Sequence, residues 1–288
     1  MDEKLSPTAK YQRGYLFTEA DFQRICKLIY DYAGISLKAT KRDMVYSRLA
    51  KRVRATKADN FHEYLALVEN NQLQEWESFV NALTTNLTSF FREPHHFPLL
   101  AEHALQHTGK APLSIWCSAA STGEEPYSIA MTIADAFGSF TPPVTIVASD
   151  VDTNVLAKAE EGIYPHERIE KLAPDIVKRF FLKGTGKQVG MVKVRPELQK
   201  MISFRHFNLL DEDWSTLGAS DVIFCRNVMI YFDKKTQLKI LEKFAHMLRP
   251  AGLLFAGHSE SFHHATHLFK IRGKTVYELA NLYDARHL

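Results

Sequence analysis

Along this chain the spacing of apolar residues changes once, near residue 113. Before that point they recur every three or four residues, the period of amphipathic helices. Thr18-Glu-Ala-Asp21 resembles a capping box, with Asp21 placed to reach back, and it opens Phe22, Ile25, Cys26, Leu28 and Ile29 at helical spacing. Gly34 ends that helix. A second helix, Lys41 to about Ala55, carries Val45, Leu49 and Val53 on one stripe, and further helices are expected at Phe61–Glu69 and Glu75–Leu83. From residue 113 short apolar runs alternate with helical stretches. Strands are expected at Leu113–Cys117, Val144–Ala148, Ile202–His206, Asp221–Cys225, Leu253–Ala256 and Thr275–Leu279. Helices are expected at Glu124–Phe137, Thr153–Glu160 and Lys234–Leu248. Such alternation implies an α/β, doubly wound and mostly parallel sheet covered by helices on both faces. One piece interrupts it: Phe181 to Arg195, with two glycine clusters and the period-2 run Met191–Val194, reads as an inserted antiparallel hairpin.

In doubly wound sheets a ligand sits beyond the carboxyl ends of the strands, near the switch point. That rule selects three segments. Ser118-Ala-Ala-Ser-Thr-Gly-Glu-Glu-Pro-Tyr127 follows the first strand, where small residues and Gly123 permit a tight turn into a helix N-terminus. It lacks G-x-G-x-x-G, and its acids Glu124 and Glu125 repel a pyrophosphate but suit an ammonium or sulfonium, which argues against a nicotinamide cofactor. Decoration of a helix first turn is the plain alternative for these acids. In Ala148-Ser-Asp-Val-Asp152, Asp150 follows Gly123 by 27 residues and is placed to accept ribose hydroxyls, while Asp152 is placed to cap the next helix. In Phe224-Cys-Arg-Asn-Val-Met-Ile-Tyr-Phe232, Arg226 and Asn227 leave an apolar strand where polar groups need partners, and Tyr231 lies a few residues on. Loop capping by Asn227 is the alternative there.

These strings, together with Asn81-Ala-Leu-Thr-Thr-Asn-Leu-Thr-Ser-Phe-Phe-Arg-Glu93 and Leu253-Leu-Phe-Ala-Gly-His-Ser-Glu260, resemble the chemotaxis receptor glutamate methyltransferases (CheR). The resemblance runs from about residue 20 to about 280. It implies an N-terminal helical domain (1–75), a linker contributing to the cofactor site (76–92), and a Rossmann-like methyltransferase domain (93–288) with a small antiparallel β-subdomain at about 181–200. The implied cofactor is S-adenosyl-L-methionine, leaving S-adenosyl-L-homocysteine, and the implied substrates are glutamates on cytoplasmic helices of chemoreceptors. By matching position the resemblance places Asn86, Thr88, Arg92, Glu125, Asp150, Asn208, Leu209, Arg226 and Asn227 around the cofactor. A glutamate with a pKa of about 4.3 is already a nucleophile at neutral pH, so the reaction needs no general base. It needs alignment and a positive group to orient the carboxylate, for which Arg92, with Tyr231 as a hydrogen-bonding neighbour, is the candidate. Holding linker to domain is the alternative role for Arg92.

Charge adds a docking question. Between Lys38 and Lys57 stand eight basic residues and one acid, with Lys41, Arg48, Lys51 and Arg52 on a contiguous helical face. A solvated face is the plain reading, an acidic surface on a receptor the functional one, and RNA the generic rival. In the inserted hairpin, Gly184, Gly186 and Gly190 leave an edge open for an extended peptide to join as a strand; the resemblance implies a receptor C-terminal peptide there, and a hairpin that merely packs on the domain is the alternative. The 288 residues, 45% hydrophobic and 24% charged with a formal net charge of +3, suit a globular chain of one or two domains. Neither a signal peptide nor a run of about 20 apolar residues is evident, so a cytoplasmic location without membrane insertion is expected. Cys26, Cys117 and Cys225 are expected as reduced thiols. No metal site is expected, because His95-His96 and His263-His264 place neighbours about 100° apart on a helix with no third ligand evident. Trp76, Trp116 and Trp214 read as packing residues, and His258 ends a strand on the cleft side. A methyltransferase of another substrate class, such as RNA, and a non-catalytic receptor-binding module remain the rivals.

Overall fold

The computed structural model describes residues 14–70, 73–107 and 111–280. They fall into two compact units, one formed by residues up to Asp31 with Leu37–Thr84, the other by Tyr32–Ser36 with Thr85 onward. The first unit is helical: α1 (Glu19–Ala33), α2 (Arg42–Thr56), α3 (Phe61–Asn70) and α4 (Leu73–Leu83). The capping box forms as expected, the Thr18 amide donating to the Asp21 carboxylate and the Asp21 amide to the Thr18 hydroxyl. Phe22, Ile25, Ile29, Val45, Leu49, Val53 and Phe61 are buried together with Tyr64 and Phe79. The helix expected at Glu75–Leu83 forms as α4, and its buried Phe79, Val80 and Leu83 go with this unit, which runs to Thr84.

The second unit continues with α5 (His96–His107), β1 (Leu113–Cys117), α6 (Glu124–Ala136), β2 (Val144–Asp150), α7 (Thr153–Glu161), β3 (Ile163–Pro165), α8 (Pro174–Phe180), β4 (Phe181–Lys183), β5 (Met191–Val194) and α9 (Pro196–Gln199). It ends with β6 (Ile202–His206), β7 (Ser220–Cys225), α10 (Lys234–Met247), β8 (Leu248–Ala256), β9 (Phe269–Gly273) and β10 (Val276–Leu279). Seven strands form one sheet in the order β6-β2-β1-β7-β8-β10-β9, parallel from β6 to β8, with β10 antiparallel. The doubly wound reading holds. Its central strands are apolar on both faces, as burial beneath helices requires: Ile115, Cys117, Val222 and Phe224 pack in one core cluster, Trp116, Ile223 and Cys225 in the other. Trp116 and Trp214 meet edge to face within the second cluster, so both are packing residues.

Two strands run longer than the sequence suggested. β2 extends to Asp150, paired with His206 of β6, and β8 begins at Leu248, paired with Ser220. The hairpin is part of a separate three-stranded antiparallel sheet, β3-β5-β4, whose third strand at residues 163–165 was not foreseen. Three residues ending in proline carry too little alternation to announce a strand.

Candidate functional site

Chain order places the switch point beside β1: β2 and β6 lie to one side of it, β7 and β8 to the other. The loops after β1, β2 and β7 therefore share one end of the sheet, and buried carboxylates fix their turns. After β1, Gly123 caps α6 with φ +97°, and a Cβ there would come within 2.9 Å of the Ala159 Cβ. Asp150 ends β2 and organises that turn, its two oxygens accepting the Ser121 and Asp152 amides at 2.8 and 3.0 Å. Burial pushes the Asp150 carboxyl up to about 6 against the pull of those amides. Asp152 caps α7 as expected and also accepts from the Asn86 side chain at 2.8 Å, while the Ser121 hydroxyl donates to the Asn86 carbonyl. Asn86 thus touches both turns.

After β7, Asn227 adopts φ +59°, a conformation asparagine tolerates better than most residues. The buried Glu260 carboxylate holds this turn by accepting the Gly257, Asn227 and Met229 amides. Arg226, 4% exposed, donates to Glu125 at 2.7 Å and to the Arg92 carbonyl at 2.5 Å, and its guanidinium lies 3.3 Å from Glu93. Glu125 and Glu93 respond differently. Burial raises the Glu125 carboxyl, with Arg226 opposing. Burial also acts to raise that of Glu93, but Arg226 and the amide and ring of His258 overcome it and hold it down at about 2.

The structure gathers most of the candidates and separates some. Arg92 lies next to this cluster, half-buried, its side chain donating to the Leu87 carbonyl at 2.9 Å. Thr88 and Tyr231 are half-buried, Tyr231 closing a turn after Asn227 and accepting the Ser36 amide through its carbonyl. Asn208 spends its side chain on the Tyr32 carbonyl and the Leu210 amide, and Leu209 is buried in the second core cluster. Glu124 points elsewhere: it is paired with Arg168 and accepts the Thr122 hydroxyl, so of the two neighbouring acids only Glu125 joins the cluster. Glu93 and Glu260 were missed as organisers. A single acid within or beside an apolar run, as in Phe90-Phe91-Arg92-Glu93, was the available signal. His258 is exposed but donates its amide to Glu93 at 3.2 Å.

In the helical unit the basic face divides. Arg48 donates to the Leu83 and Thr84 carbonyls at the end of α4, where a helix C-terminus favours a cation. Arg52 makes a two-pronged contact with Glu75, at 3.1 and 2.5 Å. Lys41 and Lys51 are exposed. Two of the four residues of the basic face thus carry internal contacts.

Two family models cover nearly all of the described chain: CheR methyltransferase, all-alpha domain, over residues 20–84, and CheR methyltransferase, SAM binding domain, over residues 86–278. The chain belongs to the CheR methyltransferase family. It is 54% identical to chemotaxis protein methyltransferase 2 of Pseudomonas aeruginosa over 265 residues, 92% of this chain and 94% of that one. It is 53% identical to the chemotaxis protein methyltransferase of Escherichia coli over 264 residues, 91% and 92% of the two chains. Among solved structures, an O-methyltransferase family protein from Burkholderia thailandensis is 14% identical, with a TM-score of 0.35, covering 84% of this chain and 55% of that one. Residues 86–278 of this CheR chain are therefore its S-adenosylmethionine-binding domain. The donor set fits that cofactor. Carboxylates Glu125, in the first turn of α6, and Asp150, at the end of β2, face this end of the sheet, and the buried Arg226 guanidinium is already shared between Glu93 and Glu125, which suits a cationic, hydroxyl-bearing ligand and not a pyrophosphate. Among the described residues no helix is long and apolar enough to cross a membrane.

Proposed function

We propose that this CheR chain is a cytoplasmic protein-glutamate O-methyltransferase acting on the cytoplasmic helices of chemoreceptors. Bound S-adenosylmethionine supplies an electrophilic methyl group, so the reaction asks this protein for orientation and for exclusion of competing nucleophiles. Asp150 accepts the ribose hydroxyls, Glu125 balances the cationic end, and Asn86, Thr88, Asn208, Leu209, Arg226 and Asn227 complete the enclosure. The substrate glutamate arrives ionised and needs no base. Arg92 orients it: its guanidinium is half-buried, and its backbone carbonyl is gripped by Arg226, which makes the segment a rigid platform. Tyr231 stands by as a hydrogen-bonding partner.

The observation that carries this reading is the Glu93–Arg226–Glu125 cluster, which compensates its own buried cation and holds the Arg92 backbone beside the site, where the Arg92 side chain, now donating to the Leu87 carbonyl, can turn to an incoming carboxylate. The test is methyl transfer from labelled S-adenosylmethionine to a purified receptor cytoplasmic domain and, separately, to RNA. Label on the receptor, released by mild alkali as expected for an ester, supports the reading. Label on RNA alone, or cofactor binding without transfer to either, overturns it.

The docking surfaces follow from the same reading. Lys41 and Lys51 face the acidic receptor helices. The β3-β5-β4 sheet has β4 on its edge, with Leu182 and Val189 exposed beside it, and a receptor C-terminal peptide adds there as a strand. Gly184 is required by packing, since a Cβ would lie 2.0 Å from the Gln188 carbonyl oxygen, whereas Gly186 and Gly190 have open space around them. Leu182→Lys is expected to weaken binding of that peptide without changing methylation of a tailless receptor; unchanged peptide affinity removes the tether.

A further inference from the structure

We infer that Glu93, His95 and His96 form a binding site for a divalent transition-metal ion of the zinc type. Their ligand atoms all lie within 4.8 Å of one another, and the arrangement follows from the local chain. His95 lies in the turn that precedes α5, and His96 is the first residue of the helix, so the regular 100° separation of helical neighbours does not apply. Glu93 has φ +54°, and the His96 amide donates to its carbonyl, which folds the acid back over the two imidazoles.

Each of the two buried donors is oriented by its other atom, as in the outer shell of metal centres. His96 is fully buried, and its Nε2 donates to the Lys274 carbonyl at 2.9 Å, leaving the Nδ1 lone pair with no hydrogen-bond partner in the protein. The Oε1 atom of Glu93 accepts the His258 amide at 3.2 Å, while Oε2 is buried with no hydrogen-bond partner in the protein. Those two atoms face each other at 3.9 Å, Oε2 having the Arg226 guanidinium as an ionic neighbour at 3.3 Å. Both are acceptors, so they have nothing to offer one another, and a cation between them satisfies both. Zinc with bonds of about 2.1 Å in a tetrahedral frame needs ligand atoms about 3.4 Å apart, which small side-chain rotations reach from here. Two imidazole nitrogens and one carboxylate oxygen are the donor types zinc takes in open sites. Arg226, 3.3 Å from the same Oε2, keeps Glu125 and the Arg92 carbonyl when the metal takes that oxygen.

The test needs no methyl transfer, so it stands apart from the proposed activity. The tag-free full chain is titrated with zinc by calorimetry, and with cobalt(II) by visible absorption, whose intensity reports low-coordinate geometry. One ion per chain is expected. Affinity should fall at least tenfold in His95→Ala, whose half-buried position leaves folding intact, and likewise in His96→Gln, with circular dichroism as the check on fold. His107→Ala serves as the control, because His103 and His107 stack at 4.0 Å as a second close histidine pair. Wild-type protein that takes up no zinc, uptake that His95→Ala leaves unchanged, or uptake that His107→Ala abolishes would each overturn the site.

Discussion

The helical unit and the strand ends of the methyltransferase unit both use arginine–carboxylate pairs, but under opposite conditions. Arg24–Glu69, Arg42–Glu19 and Arg52–Glu75 have guanidinium groups roughly a third exposed, and water screens them. The Arg226 side chain is fully buried and serves Glu93, Glu125 and a backbone carbonyl at once. A screened pair can be lost cheaply, whereas a buried one cannot, because the survivor stays desolvated. Charge near the surface therefore tunes stability in small steps. Charge at the strand ends fixes the shape of a site.

The largest expected effect is on catalysis. Arg92→Ala should lower kcat/KM at least ~100-fold while changing cofactor affinity little, since misplacement of a reacting group costs that much without touching the binding of its partner. Arg92→Lys should also be impaired, because an ammonium lacks the planar two-pronged contact. Steady-state kinetics with calorimetry on each variant decides it; normal turnover would return Arg92 to a linker-holding role.

Next comes stability. Arg226→Met leaves Glu93 and Glu125 buried without their shared cation, a loss of about 3–5 kcal/mol. Thermal denaturation should show it as a fall on the order of 10 °C. The carboxyl of Glu93 should also rise, since Arg226 is the main charge holding it down. A variant that melts with the wild type would mean that the cluster is wet and the comparison wrong.

Asp150 supplies the pH dependence. Its folded-state pKa is raised to about 6, so its contribution to folding is complete below the ordinary carboxyl value and is lost as pH rises through about 6. Cofactor binding should run the other way. Ribose hydroxyls donate best to the ionised form, so affinity should weaken as pH falls through about 6, and Asp150→Ala should flatten that dependence while weakening binding at neutral pH. A pH-independent affinity in the wild type would remove Asp150 from the ribose.

How much of this could be read in the sequence depended on how local the cause was. The capping box, the Asp152 cap and the turn at Gly123 follow from neighbours within a few residues, and all appeared where expected. The central strands were legible because burial on both faces forces continuous apolar runs. The fates of Glu124 and Glu125 were not: adjacent and alike in sequence, they are separated only by where Arg168 and Arg226 arrive from distant parts of the chain. The closeness of Glu93 to His95 and His96 escaped for a similar reason, because a turn at Glu93 replaced the helix assumed there.

The smallest effects separate two roles on one helical face. Arg52 and Lys51 are neighbours in α2, yet Arg52 is clasped by Glu75, which also accepts the Tyr64 hydroxyl at 2.9 Å, while Lys51 is exposed. Arg52→Ala removes a partly exposed pair and should cost about 0.2–1 kcal/mol in denaturant unfolding. Lys51→Glu touches no internal contact and should leave unfolding within about 0.5 kcal/mol of the wild type. If the exposed lysines meet an acidic receptor surface, methylation should respond in the opposite order. Lys51→Glu should raise the receptor KM several-fold at low salt, less so as salt screens the attraction, and Lys41→Glu should behave alike. The signature is therefore a crossing: one substitution moves stability without moving KM, the other moves KM without moving stability. Should Lys51→Glu and Lys41→Glu leave receptor KM unchanged at every ionic strength, the basic face of α2 is a solvated surface, and its arginines matter only as staples of the helical unit.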